Sequence, residues 1–150
     1  MKLVQLLNSG LIHCSPETSV QEVASLMKDE GTGALIVVDE GKAVGMVTDR
    51  DLIMRVICEE LNPETTQAKE IMTRRTVSLS VEQSLGEVVQ RMKETGVRRI
   101  IVTDSNGSPL GLIGFEDVCA NLAGDLTAIA RPLSATGSRV AVERGQESAA

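Results

Sequence analysis

Gly45-x-x-Thr48-x-x-Asp51 sets a hydroxyl and a carboxylate three residues apart, where a strand-like run gives way to a helix-like one. Two chemistries fit that spacing. In one, Thr48 and Asp51 form a capping box that satisfies the first amides of a helix and do nothing more. In the other, the helix start offers unpaired N–H groups and the positive end of a dipole to an anion, while the carboxylate accepts hydrogen bonds from two adjacent hydroxyls. Arg98-Arg99 is the second group with chemistry to offer, because a planar guanidinium can engage phosphate oxygens bidentately. Its alternative is a solvated strand end or ion pairs with Glu94 and other acids.

Other constellations offer less. Asp49-Arg50-Asp51 suggests an acid pair, but no nucleophile and base stand beside it, and a helix start explains it better. Neither a Walker loop nor GxGxxG occurs, so nucleotide hydrolysis by those routes is not supported, and the chain is read as no enzyme. Cys14, Cys58 and Cys119 lack CxxC spacing, which argues against a disulfide framework and against a metal site; they read as core residues, as does His13, in a reducing cytoplasm. Arg74-Arg75 reads as a solvated linker, with an auxiliary phosphate patch as the alternative.

The elements that must position these groups follow from an internal repeat. Shifting the chain by 65 aligns Ser15–Asp39 with Ser80–Asp104 at eleven identical positions of twenty-five, against roughly one or two by chance. Beyond a turn that differs by one residue, Gly45 aligns with Gly111 and Asp51 with Asp117. Val20, Val23, Ala24 and Met27 lie at one helical face, and Leu85, Val88, Val89 and Met92 repeat it. Ser19-x-x-Glu22 and Ser84-x-x-Glu87 predict capping boxes, and Gly31 and Gly96 the helix ends. Strands are predicted at Leu35–Val38 and Val44–Val47, and again at Arg99–Val102 and Leu110–Ile113. Second helices start near Asp49 and Phe115. Short opening strands fall at Leu11–Cys14 and Val77–Leu79.

Composition sets the outer limits. The chain has 150 residues, 42% hydrophobic and 24% charged, but only 1% aromatic, so its core must be aliphatic. A net charge of −6 argues against nucleic acid and anionic membrane as partners. The longest aliphatic run, Ala34–Val38, is far too short to span a bilayer, and the N-terminus does not fit a signal peptide. A repeat of about fifty residues is insecure alone, so the expected fold is α+β: two pseudo-twofold-related β-α-β-β-α repeats packed sheet to sheet as one globular module. The expected divisions are 1–61, 62–128 and a tail, 129–150, frayed at its end.

Over roughly residues 1–125 the chain resembles the CBS domain, a family found as tandem pairs. The resemblance rests on Ser15-Pro16-Glu17-Thr18-Ser19-Val20, Gly31-x-Gly33-Ala34, Val37-Val38-Asp39 and Gly45-Met46-Val47-Thr48-Asp49-Arg50-Asp51 in copy one. In copy two it rests on Ile71-Met72-Thr73, Val97-Arg98-Arg99-Ile100-Ile101-Val102-x-Asp104 and Gly111-Leu112-Ile113-Gly114-Phe115-Glu116-Asp117. The resemblance implies a regulatory module whose inter-repeat cleft binds an adenosine-containing ligand such as AMP, ADP, ATP, S-adenosylmethionine or NAD. It also implies a homodimer that acts on a regulated enzyme or transporter, with no required cofactor. The alternative is a structural dimerisation or interaction module with a degenerate cleft.

By the same resemblance, Thr48 and nearby amides approach phosphate, Asp51 takes the ribose hydroxyls, and the opposite repeat lends Arg98 or Arg99. Adjacent strand residues face opposite ways, so one arginine serves a given phosphate, and Arg99 is expected. Gly45, Val47 and Asp49 complete this ligand-binding set. A second, weaker site would use Asp117, with Gly114 in place of the hydroxyl residue and Gly33 and Ala34 in place of the arginines. With Phe115 as the sole aromatic residue, the adenine sandwich falls to aliphatic candidates: Ile12, Val77, Leu35, Ile36, Met46 and Val47.

Overall fold

Ser19 and Ser84 start the two long helices as their spacing predicts. The Ser84 hydroxyl accepts the Glu87 amide at 3.3 Å, and the Glu87 carboxylate accepts the Ser84 amide at 2.7 Å, a complete reciprocal cap. That amide, the Gln83 side chain and the Ser84 hydroxyl hold the Glu87 carboxyl below its ordinary value. At Ser19 the hydroxyl accepts the Glu22 amide at 3.2 Å, while the Glu22 carboxylate reaches only the Ser19 hydroxyl, at 3.4 Å. Helix α1 spans Val20–Glu30 and ends at Gly31, whose φ of 63° lies in the left-handed region that glycine enters without steric cost. Val20, Val23 and Met27 are buried as the periodicity requires. On the equivalent helix Leu85–Thr95, Val88 and Met92 are buried, but Val89 is 40% exposed and does not join the core face.

The computed structural model describes residues 3–7 and 10–128. Two compact units divide at Gly114, the first Met1–Gly114 and the second Phe115–Ala150. The first unit holds two three-stranded sheets of the same design. Strand β1 (His13–Cys14) pairs parallel with β2 (Ala34–Asp39), which pairs antiparallel with β3 (Lys42–Thr48). Likewise β4 (Ser78–Ser80) pairs parallel with β5 (Arg99–Thr103), and β5 antiparallel with β6 (Pro109–Gly114). The registers match position for position. Ala34 faces Thr48 as Arg99 faces Gly114, Val37 faces Gly45 as Val102 faces Gly111, and a bulge follows each glycine pair.

Strands β2 and β3 divide their side chains between two cores, whereas β1 buries only Cys14; His13, read above as a core residue, is exposed, because alternation turns it to the opposite side of the strand from Cys14. Leu35, Val37 and Val47 face α1 with Val23, Cys14, Ala68 and Ile71. Ala34, Ile36 and Met46 face the second sheet and meet Ile101, with Leu112 packed against them. The sheets therefore pack face to face, and aliphatic side chains fill both layers. At the hairpin ends, Lys42 Nζ donates to the Asn106 carbonyl.

After β3, helix α2 (Asp49–Leu52) runs on into a π-helical turn, Ile53–Ile57. The chain then makes a short helix, α3 (Ala68–Ile71), which periodicity does not reveal, and α4 (Leu85–Thr95) follows. The segment around α3 packs on the first repeat. Gln21 donates to the Pro63 carbonyl, Val20 to Thr66, Ala68 to Thr18 and Lys69 to Pro16, while Met46 and Thr73 exchange backbone bonds of 3.0 and 2.8 Å. A Cβ on Gly45 would stand 2.5 Å from Met72 Sδ and 3.1 Å from the Thr73 carbonyl oxygen, so glycine gives this segment the room to cross β3 without displacing Met72. The other copy repeats the device at looser fit. A Cβ on Gly111 would stand 3.1 Å from Leu7 Cδ2, where Leu7 follows the 3-10 turn Leu3–Leu6 and lies 65 residues before Met72. Each repeat's leading segment thus packs on the other repeat's sheet.

The second unit contains a helix over 115–128, which starts at Phe115 as expected. The tail 129–150, including the predicted frayed end, lies outside the described residues. Among the described residues no helix is long and apolar enough to cross a membrane.

Candidate functional site

Thr48 ends β3 and caps α2, and the capping reading of its spacing is realised in full. Asp51 Oδ2 accepts the Thr48 amide at 2.9 Å and the Thr48 hydroxyl at 3.1 Å, while Thr48 Oγ1 accepts the Asp51 amide at 3.2 Å. Asp51 is buried, with its side chain 12% exposed. Its other oxygen, Oδ1, lies 3.6 Å from Arg55 Nε, and Arg55 Nη1 donates to the Ile71 carbonyl at 2.8 Å. Oδ1 therefore keeps lone pairs for hydroxyl donors, whereas Oδ2 is committed to the cap. Arg55 is a residue that sequence reasoning missed. Its i,i+4 spacing from Asp51 was the available signal.

The start of α2 does not offer the unpaired amides expected of it. The Asp49 amide donates to the Gly33 carbonyl at 3.0 Å, the Arg50 amide to Asp49 Oδ1 at 2.8 Å and the Asp51 amide to Thr48 Oγ1. Side chains and the β2 entry have taken all three, so the positive charge for an anion must come from elsewhere.

Arg99 brings it. The side chain leaves β5 on the face that carries Ile101 into the inter-sheet core, and it crosses to the first repeat. Its Nη2 lies 3.6 Å from the point a Cβ on Gly33 would occupy, and Asp49 Oδ2 lies 2.9 Å from the same point. A side chain at Gly33 would displace the Asp49 carboxylate from this place, so the glycine leaves it room. Arg98 is exposed and precedes β5, so the two arginines are separated as alternation requires.

The other expected residues divide between packing and other places. Gly45 is explained by Met72, and Val47 and Leu35 are wholly buried against the helices, so neither valine nor leucine is open to an adenine ring. Ile12 packs on that same cluster. Ile36 and Met46 lie in the inter-sheet layer and Val77 is half-buried. Of the second set, Gly33 and Ala34 stand beside the first site, Ala34 opposite Thr48. Gly114 closes the first unit and Asp117 belongs to the second.

The cysteines follow the core reading only in part. Cys14 is buried, and burial pushes its thiol up to about 11, against a smaller lowering by the Thr18 side chain. Cys58, in the turn that follows Ile53–Ile57, and Cys119, on the helix over 115–128, are exposed. No group of three metal-ligating side chains occurs among the described residues. Arg74 and Arg75 are exposed, and Arg74 Nη2 donates to the Lys69 carbonyl at 3.2 Å.

Two sheets of one design, with leading segments exchanged between them, match a known duplication. The family model for the CBS domain fits residues 4–57 and again 68–124. The chain belongs to the CBS domain family. The CBS domain-containing protein YhcV of Bacillus subtilis is 35% identical over 107 residues, 71% of this chain and 75% of the relative. A protein of Methanopyrus kandleri is 30% identical over 105 residues, 69% of this chain; the aligned stretch spans only 54% of that relative's length. Among solved structures, a conserved protein from Pyrococcus horikoshii is 31% identical, with a TM-score of 0.70 over 80% of this chain and 90% of that one. A CBS domain protein from Pyrobaculum aerophilum, solved complexed with AMP, shares the fold at a TM-score of 0.71 and 19% identity, over 79% of this chain and 91% of that one. The fold is thus shared with these two solved structures.

Proposed function

We propose that this CBS pair is a regulatory, non-catalytic module that binds an adenosine-containing nucleotide at the Thr48–Asp51 site. The observation that carries the reading is the arrival of Arg99, from the second repeat's sheet, beside Gly33 and the start of α2. Asp51 Oδ1 takes ribose hydroxyls, and Arg99 takes a phosphate. Thr48 orients Asp51 through the cap and turns its hydroxyl between the carboxylate and the ligand. The AMP bound to the Pyrobaculum protein supports this ligand class. Because the site draws on both repeats, occupancy holds them at one angle, and a cytoplasmic homodimer or a regulated enzyme or transporter reads that angle. Such a shift requires different ligand affinities in the two arrangements.

A thermal-unfolding panel with AMP, ADP, ATP, S-adenosylmethionine, NAD and GTP tests the ligand class. At ligand near one hundred times its dissociation constant, the folded state gains about 2.7 kcal/mol. Stabilisation by adenosine compounds and none by GTP is expected. A specific feature favours a second reading, an interaction module. Ile53, Met54 and Ile57 are 52%, 51% and 68% exposed, beside an apolar groove of about 360 Å³ lined by Val20, Ala24, Val56 and Leu61. Concentration-dependent assembly with no response to any nucleotide would select it.

A further inference from the structure

Asp49 brings to this site a carboxylate that, unlike Asp51, has no ribose to bind in the reading above and whose charge opposes the phosphate proposed for Arg99. Its carboxylate is exposed, accepts the Arg50 amide through Oδ1, and turns Oδ2 toward Gly33. Arg99 Nη2 approaches the same point from the other side, so the two groups lie within about 6.5 Å of each other, the sum of the two distances to the Gly33 position. An anion held by Arg99 therefore sits against a fixed negative charge. The amides that could offset this charge are already paired, one of them to Asp49 itself.

We infer that Asp49 is a specificity-determining residue that limits the charge of the ligand, favouring an adenosine monophosphate over a triphosphate. The inference rests on the site proposed above. Arg99 and Asp49 nearly cancel as a pair, so one phosphate gains its bidentate contact while each further phosphate adds repulsion without a new partner at that point. A unit charge about 6 Å away through water changes affinity by about threefold. Two added charges therefore give a discrimination of about three- to tenfold. Gly33 contributes by leaving the gap in which the carboxylate lies; Arg50, exposed and next in the chain, is a constant background.

The test is calorimetric titration of the full chain with adenosine, AMP and ATP, for wild type, Asp49→Asn and Asp49→Glu. Asparagine keeps an acceptor for the Arg50 amide, so the cap survives. The ratio of ATP to AMP affinity should rise about three- to tenfold in Asp49→Asn, stay at the wild-type value in Asp49→Glu, and lose most of its change in 0.5 M salt, where screening is strong. An unchanged ratio in Asp49→Asn, with AMP still bound, overturns the charge-limit assignment and leaves the site standing. A rise in adenosine affinity equal to that of ATP overturns it too, since the effect would not depend on ligand charge. Failure of wild type to bind any of the three overturns the site and the inference together.

Discussion

Asp51 carries one duty that the geometry shows, the cap, and a second that we propose, ribose binding, and the sequence signatures of the two coincide. A Thr and an Asp three apart at a helix start are what a capping box needs, and the same pair presents a carboxylate to hydroxyls; the observed geometry gives Oδ2 to the first duty and leaves Oδ1 for the second. Removing the side chain, as in Asp51→Ala, therefore costs about 0.5–2 kcal/mol of stability along with any ligand affinity. Asp51→Asn is the cleaner probe, since it keeps an acceptor for the Thr48 amide. Gly45 was legible as a required glycine but not in its reason, because a missing Cβ does not say whether a ligand or another segment approaches. Cys14 gives a prediction at this scale. Its folded value of about 11 exceeds the ordinary 9.0, so its contribution is complete below pH 9 and is lost as pH rises toward 11. A thiol reagent at pH 8 should label Cys58 and Cys119 in the native protein and reach Cys14 only after denaturation. The alkaline loss of stability should shrink in Cys14→Ala, and native labelling of Cys14 would contradict its burial.

At the scale of elements, what repeats in the sequence was readable and what is tertiary was not. Helix ends were written in Ser19, Ser84, Gly31 and Gly96, and strands in runs of β-branched residues between turns. A four-residue helix such as α3 has no period to detect, and its sheltered face exists only because the first repeat's core receives Ala68, Ile71 and Met72. The outward face of Val89 was hidden for the opposite reason, since a position on the apolar stripe is buried only where a neighbour covers it. The crossing at Gly45 can be tested by a double-mutant cycle. Gly45→Ala should destabilise by about 1–3 kcal/mol through overpacking against Met72, and Met72→Ala by about 2–5 kcal/mol through the cavity it leaves. In the double variant the new methyl partly fills that cavity, so urea denaturation should give a smaller loss than the sum. Additivity within about 0.5 kcal/mol would show that the two groups do not meet.

Across the whole molecule, duplication explains both the core and the site. Neither repeat completes its own sheet packing: Met72 crosses to Gly45, Leu7 to Gly111, and the inter-sheet layer joins Ile36 to Ile101. The repeat boundary drawn at residue 61 separates sequence copies, whereas residues 62–73 pack on the first copy. The internal repeat made the sheet-to-sheet arrangement legible in advance, because one copy alone leaves too much apolar surface uncovered. Arg99, the arginine expected from strand alternation, is the one whose Nη2 approaches Gly33, and the physical reason is that its face of β5 turns inward with Ile101. If the proposed site is right, it draws on both copies, and a cation on one sheet governs a ligand whose ribose the other sheet holds. The most direct measurement is therefore calorimetric titration of AMP into wild type, Asp51→Asn and Arg99→Gln, each first shown to unfold as cooperatively as wild type. The account predicts one AMP bound at the first site of wild type, with affinity reduced at least tenfold by either substitution. For adenosine, which lacks the phosphate, Asp51→Asn should weaken binding and Arg99→Gln should not. Wild-type AMP affinity in both variants would contradict the assignment of this site.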